Sequence, residues 1–142
     1  MLRGFTLLEV VCTLGLFAAG VSVLLPAARR VDERLSVVAA REELVGIIAR
    51  ARAQALAYGG ATVLVEGRPA TAYLTAGRVI RERVDLWERH RTELSLSGGH
   101  PSVEIRFDGV GLGRMAARSI TLRRGSAVAR LVVSAHGRVR RE

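Results

Sequence analysis

The chain has 142 residues, 49% hydrophobic but only 4% aromatic, so any core must be built mainly from aliphatic side chains. All 22 basic residues are arginine, against 13 acids, which gives a formal net charge of +9. This length allows one modest domain beside an apolar segment. The charge reflects either codon use or an acidic partner such as nucleic acid or a lipid surface. Cys12 is the single cysteine, which excludes an intramolecular disulfide.

The first predicted element is an apolar helix, and Val10–Leu25 within it carries no charge. Extended to Phe5–Ala28, it reaches the roughly twenty residues that span a hydrocarbon core. Glu9 is then a carboxylate at membrane depth, which costs about 2.5–3.5 kcal/mol on insertion scales and therefore calls for a partner. A plain anchor does not account for Glu9, and a signal peptide would normally lack an acid near its front. A buried helix of a soluble domain would need a polar face.

The residues that open this segment form the motif Gly4-Phe5-Thr6-Leu7-Leu8-Glu9. It resembles the processing motif of type IV prepilins and type II secretion pseudopilins, in which a membrane-embedded prepilin peptidase cuts after the glycine. The resemblance implies a leader of residues 1–4, N-methylation of Phe5 and a role for Glu9 in fibre assembly. Glycine at the cut also lets the backbone enter a protease cleft without obstruction by a side chain. Pro26 stands where the family commonly has a helix-kinking proline.

The same resemblance places the chain in the bacterial inner membrane as a single-pass protein, with its C-terminal domain in the periplasm. The flanking arginines do not favour this orientation, because Arg3 stands alone inside while Arg29 and Arg30 flank the outer end. We keep the family orientation because the peptidase acts on the cytoplasmic side.

Residues 29–58 are predicted to continue the helix as an amphipathic half that covers a sheet. Tyr58-Gly59-Gly60 predicts its end, since glycine adopts the left-handed cap. Its apolar stripe recurs at three- and four-residue steps, at Val37, Ala40, Leu44, Ile48, Ala51 and Ala55.

Residues 59–142 are predicted to form a β-rich domain, which makes the fold class α+β with a pilin-like long helix packed on antiparallel strands. The unbroken apolar run Leu131-Val132-Val133 predicts a strand covered on both faces. The candidate strands are Ala61–Val65, Thr71–Thr75, Val79–Arg83, Glu93–Leu96, Val103–Phe107, Ser119–Leu122, Ala129–Ser134 and Arg138–Arg140.

The last forty or so residues resemble more narrowly the minor pseudopilins of the GspH and FimT type. The resemblance rests on Phe107-Asp108-Gly109, Ile120-Thr121-Leu122 and the ending Ala129–Arg140. It implies a structural subunit of a type II secretion pseudopilus that supports protein secretion together with other pseudopilins.

An alternative function is a FimT-like minor type IV pilin that binds DNA in natural transformation. Gly137-Arg138-Val139-Arg140 resembles the element with which such proteins contact DNA, and Arg141 adds a further charge. On a strand, Arg138 and Arg140 would point to the same face and could meet successive phosphates. The competing interpretation is an edge strand protected by charge. Neighbouring genes would separate the two functions.

Catalytic and metal-binding motifs are not evident, and we expect no enzyme activity, cofactor, metal site or small-molecule substrate. The three histidines are scattered among predicted turns without ligand spacing. The glycine-rich stretch Gly109–Gly113 lacks the helix and Lys-Ser or Lys-Thr of a phosphate loop. A paired-carboxylate site would require close approach of Glu82, Asp85 and Glu88, which the sequence cannot establish.

Overall fold

The computed structural model describes residues 6–115 and 117–142, apart from the side chain of Val23. The first helix, α1, comprises Leu7–Tyr58 and includes Pro26. Its predicted start at Phe5 lies outside the described residues. α1 ends before Gly59, as predicted. Gly59 has a left-handed backbone conformation (φ 76°), which glycine adopts without strain. The chain divides after Asp32 into two compact units, and the second comprises Glu33–Glu142.

Within the described ranges, the second unit contains the second half of α1, eight strands, a short α-helix and one turn of 3₁₀ helix at Ser97–Gly99. The predicted strands are all confirmed, with ends that shift by no more than two residues. The elements are β1 (Gly60–Glu66), β2 (Thr71–Ala76), β3 (Val79–Asp85), α2 (Leu86–His90), β4 (Glu93–Leu96), β5 (Ser102–Asp108), β6 (Arg118–Arg124), β7 (Ala127–Val133) and β8 (Val139–Arg141).

The strands form two four-stranded antiparallel sheets. Sheet 1 has the order β3-β2-β1-β5, and sheet 2 has the order β4-β6-β7-β8. The final strand, β8, therefore lies at one edge of sheet 2, and β4 lies at the other. The α+β architecture predicted from the sequence is confirmed.

Among the described residues, one hydrophobic core joins the second half of α1 to both sheets. Every residue of the predicted stripe is buried, and Ile47 is a further buried residue that the stripe did not include. Inward-facing positions alternate along the strands, with Val63, Ile105 and Leu131 fully buried. Because each strand contributes side chains to the core from one face only, the other face of each sheet is left to solvent.

Two features of sheet 2 and its surroundings differ from the sequence predictions. β7 alternates between buried and exposed positions, and Val132 is only half-buried on the outer face. The prediction that β7 is covered on both faces is therefore wrong, because the core covers one side alone. The second feature is α2, which the sequence analysis did not assign. Asp85 caps it by accepting a hydrogen bond from the N–H of Glu88 at 2.9 Å.

Candidate functional site

The first unit includes the apolar part of α1. Large hydrophobic side chains in this part are exposed to solvent: Leu7 is 84% exposed and Phe17 is 76% exposed. α1 is long and apolar enough to cross a membrane. Such a surface calls for a lipid or protein environment.

Glu9 lies in the first turn of α1, while Gly4 and Phe5 lie outside the described residues. Thr6 accepts a hydrogen bond from the N–H of Glu9 through its Oγ1 atom at 3.3 Å. The spacing Thr6-x-x-Glu9 is that of a capping box, in which an acid at the third helical position favours the helix start. Glu9 therefore contributes to the helix N-terminus, while its assembly role is an expectation from the family resemblance alone.

The second half of α1 is tied to the rest of its unit by carboxylates. Arg141 on β8 donates to Glu42 in a bidentate pair with Nε–Oε1 3.0 Å and Nη2–Oε2 3.0 Å. Arg50 pairs with Glu82 on β3 at 2.6 Å. The hydrogen bond from Arg141 holds the pKa of Glu42 below its usual value, and the same bond raises the pKa of Arg141. The two pairs link α1 to edge strands of both sheets.

The three predicted C-terminal arginines do not share one environment. Arg141 is engaged by Glu42, whereas Arg138 and Arg140 are exposed. Within residues 6–115 and 117–142, no carboxylate lies within ion-pair distance of Arg138 or Arg140. Val139, between them, packs against the core. The alternation thus places Arg138 and Arg140 away from the core and Arg141 towards α1.

Arg138 lies in the turn before β8 rather than on the strand. Its N–H donates to Ser134 Oγ at 3.0 Å, and its carbonyl accepts from the N–H of Ser134 at 2.8 Å. Gly137 has a φ of 78°, and a Cβ there would lie 2.5 Å from a ring carbon of Phe107. The Gly113 N–H donates to the carbonyl of His136 at 3.2 Å. The turn that carries Arg138 is therefore fixed against β5.

The glycine-rich stretch Gly109–Gly113, which follows β5, folds around the carboxylate of Asp108. Asp108 Oδ1 accepts from the N–H groups of Val110 (3.1 Å) and Leu112 (2.9 Å), and Oδ2 accepts from Arg114 Nε at 2.8 Å. These N–H groups are consequently not directed at a phosphate. Arg114, followed by the backbone N–H of Leu112, lowers the pKa of Asp108 from its ordinary 3.8.

Asp108 and Glu42 should make the domain sensitive to acid. A carboxyl whose folded pKa is depressed contributes stability above its unfolded pKa, and this contribution is lost as pH falls through the folded value. We expect the Tm of a fragment that begins near Arg29 to fall as the pH drops below about 5. Asp108→Asn should lower the Tm at pH 6 and flatten this dependence, whereas Glu88→Gln on exposed α2 should change neither. Parallel curves for the Asp108→Asn variant and the parent would contradict the assignment.

Among the described residues, one histidine and two of the acids named in the sequence analysis have partners of their own. His90 does not lie in a turn as predicted, because it ends α2, and its Nε2 lies 2.7 Å from Glu43 Oε2. Glu82 and Asp85 have separate partners in Arg50 and Arg83. In the described part of the chain, no three His, Cys, Asp or Glu side chains are placed to hold a metal ion.

A groove beside β4 is a feature that the sequence analysis missed. Its volume is about 890 Å³. Trp87, the single tryptophan, is 43% exposed there, and Val128 is 59% exposed. Arg68, Arg123 and His100 add basic groups to the lining. The sequence could not reveal this site, because Trp87 and Arg123 are distant in sequence and line one groove only through the fold.

The geometry can be compared with solved structures. The type IV minor pilin FimU of Pseudomonas aeruginosa is 15% identical, with a TM-score of 0.56 over 73% of this chain and 90% of FimU. The chain has the pilin fold. The minor pseudopilin EpsH from the type 2 secretion system of Vibrio cholerae shares this pilin fold at 12% identity, with a TM-score of 0.54 over 74% of this chain and 94% of EpsH. No protein-family model and no curated protein matches the sequence.

Proposed function

We propose that the chain is a minor subunit of a type II secretion pseudopilus. In this proposal, prepilin peptidase removes residues 1–4 and methylates Phe5, and the apolar half of α1 anchors the subunit in the bacterial inner membrane. The domain that includes residues 59–142 then lies in the periplasm. The observation that carries the proposal is the Gly4–Glu9 motif at the start of a helix whose apolar part is exposed and whose second half forms the core of a pilin fold.

Assembly in this account is driven by burial of the exposed apolar side chains of α1 among helices of neighbouring pseudopilins. After cleavage, Phe5 carries an amine that stays cationic when methylated. Glu9 of one subunit pairs with this amine on a neighbour, which offsets the desolvation cost of both charges. Pairing with this amine would account for the presence of the Glu9 carboxylate at membrane depth.

Replacing Glu9 separates charge pairing from helix capping. Glu9→Leu should insert into the membrane at least as well as the parent, since it removes a charge from the segment, and should leave the second unit folded. Glu9→Gln keeps a side chain suited to the capping box but removes the charge. We expect both variants to lose most incorporation into fibres, measured by immunoblotting of sheared fibre fractions.

The pattern across these variants decides between the roles. Loss with Glu9→Leu but not with Glu9→Gln would assign Glu9 to the helix start alone. Incorporation of Glu9→Leu at the parental level would refute the pairing.

A second candidate function is favoured by one observation, the exposure of Arg138 and Arg140 without a carboxylate partner among the described residues. In this alternative the chain is a FimT-like minor type IV pilin that binds DNA during uptake. The fixed turn at Gly137 would present the two guanidinium groups to phosphates with little loss of freedom on binding. Neighbouring genes for secretion partners, rather than competence partners, would favour the first function.

Salt-dependent DNA binding tests the alternative. Phosphate contacts release counterions, so log affinity should fall with log salt at a slope near −0.9 per phosphate neutralised on duplex DNA. Arg138→Gln with Arg140→Gln should abolish most binding. Arg78→Gln with Arg81→Gln removes the same charge from β3 and the turn before it, and should leave most binding intact. Equal losses from the two pairs, measured by fluorescence anisotropy, would assign the effect to bulk charge.

A further inference from the structure

Three arginines of the second unit share one surface, while many of its acids are engaged elsewhere. The carboxylates that hold the fold together include Glu33 with Ser126, Glu42 with Arg141, Glu43 with Arg89, Glu82 with Arg50, Glu104 with Arg106, and Asp108 with Arg114. The outer face of sheet 2 carries Arg123, Arg130 and Arg140, all exposed. In the described ranges, none of these three lies within ion-pair distance of a carboxylate.

The register of sheet 2 arranges these three arginines in a diagonal row. Arg123 on β6 is opposite Val128 on β7, two residues before Arg130. Arg130 in turn precedes Val132 by two residues, and Val132 is opposite Arg140 on β8. Diagonal neighbours of this kind are separated by about 7–8 Å. The row therefore presents a cation at regular steps across three strands.

The surroundings of the row leave it with a net positive charge. Arg130 donates to Ser119 Oγ at 3.2 Å, and this neutral acceptor does not cancel its charge. The acids nearest in register are Glu93, opposite Arg123, and Glu142, whose backbone bonds to Arg130. Three guanidinium groups thus face two carboxylates in register, and Arg138 in the adjacent turn adds a further cation.

The groove beside β4 adjoins the first arginine of this row. Arg123 and Thr121 line it together with Trp87 and Val128. The indole and the valine give the groove apolar lining, and Arg123 belongs to both the groove and the row. Arg91 Cζ lies over the Trp87 ring at 5.9 Å from its centroid, so a base would stack on the opposite face of the indole. The combination of an aromatic platform with a line of cations is characteristic of surfaces that bind single-stranded nucleic acid.

We propose that the outer face of sheet 2 binds single-stranded nucleic acid, with phosphates along Arg123, Arg130 and Arg140 and one base against Trp87 in the groove. The proposal deepens the DNA-binding alternative and is independent of fibre assembly. A duplex keeps its bases stacked and offers no ring face to Trp87. An acidic peptide would supply negative charges for the arginines, but it lacks the regularly spaced planar bases that could stack on Trp87.

The test uses the full chain in a neutral detergent and its intrinsic fluorescence, because Trp87 is the single tryptophan. Titration with oligothymidylate should quench the emission and give an affinity at least about tenfold tighter than a hairpin duplex of equal length. By anisotropy with a labelled strand, Arg123→Gln with Arg130→Gln should weaken binding about tenfold or more. The matched pair Arg78→Gln with Arg81→Gln should change it less than about twofold. Trp87→Leu should remove the preference for single strands, and circular dichroism checks that each variant is folded.

Several outcomes would overturn the proposal. One is binding without a change in Trp87 emission, and another is equal affinity for the duplex and the single strand. Displacement of the strand by polyglutamate or by phosphatidylglycerol vesicles at equal charge concentration would assign the face to a different partner. Loss of binding in the Arg138→Gln with Arg140→Gln variant, but not with Arg123→Gln and Arg130→Gln, would refute this site while leaving the DNA-binding alternative in place.

Discussion

Leu44→Asp is expected to unfold the second unit. Leu44 is fully buried on the face of α1 that packs into the core. Truncating a buried leucine costs about 2–5 kcal/mol, and an unpaired carboxylate in the same place adds a desolvation penalty. A domain of this size has a total stability of about 5–15 kcal/mol, so one such substitution consumes most of it. Ile48→Asp, one turn further along the same face, should have an effect of similar size.

The measurement is chemical denaturation of a fragment that begins near Arg29, followed by circular dichroism. Leu35→Asp is the matched control, because Leu35 lies on the same helix but is 65% exposed. It should change the free energy of unfolding by no more than about 0.5 kcal/mol. Similar losses at Leu35 and Leu44 would contradict the assignment of the buried face.

A shorter fragment tests the same architecture from the other side. A fragment that starts at Ala61 lacks α1 and exposes the inner faces of both sheets, so it should aggregate. If circular dichroism showed that this piece folds by itself, the helix would not be the layer that the sheets require.

The helix and the strands could be predicted because their signals are local. The three- and four-residue spacing from Val37 to Ala55 marks the buried face of α1, and Gly59 marks its end. Turn residues separate the strands clearly enough that their ends shift by no more than two residues. The pairing of strands into two sheets depends on long-range contacts, for which a single sequence carries no periodic signal.

The candidate site was predicted less completely, because side-chain partners distant in sequence decide it. Arg141 is equivalent to Arg138 in sequence terms, yet Glu42, 99 residues away, engages it. Val132 belongs to an unbroken apolar run, but alternation places it beside Arg140 on the outer face. Trp87 is next to the basic face only through the fold. The cap at Asp85 is the one local signal from which α2 could have been found.

Processing at Gly4 is the second effect that should be large. In the proposed function, prepilin peptidase cuts after Gly4, where a side chain would obstruct the entry of the backbone into the cleft. Gly4→Leu should therefore leave the leader on nearly all molecules and exclude the chain from fibres. Thr13→Val, a matched change of a mildly polar residue within the apolar helix, should leave processing at the parental level. Complete processing of Gly4→Leu would show that the glycine is not the recognised residue.

Intact-mass analysis of the membrane-extracted chain tests the central claim most directly. The proposed function predicts a mature protein that has lost residues 1–4, begins at Phe5 and carries one added methyl group on its terminal amine. The apolar half of α1 must be retained for this chain to act as a fibre subunit. A mature protein that begins beyond Pro26, as after removal of a secretory signal peptide, would contradict the account.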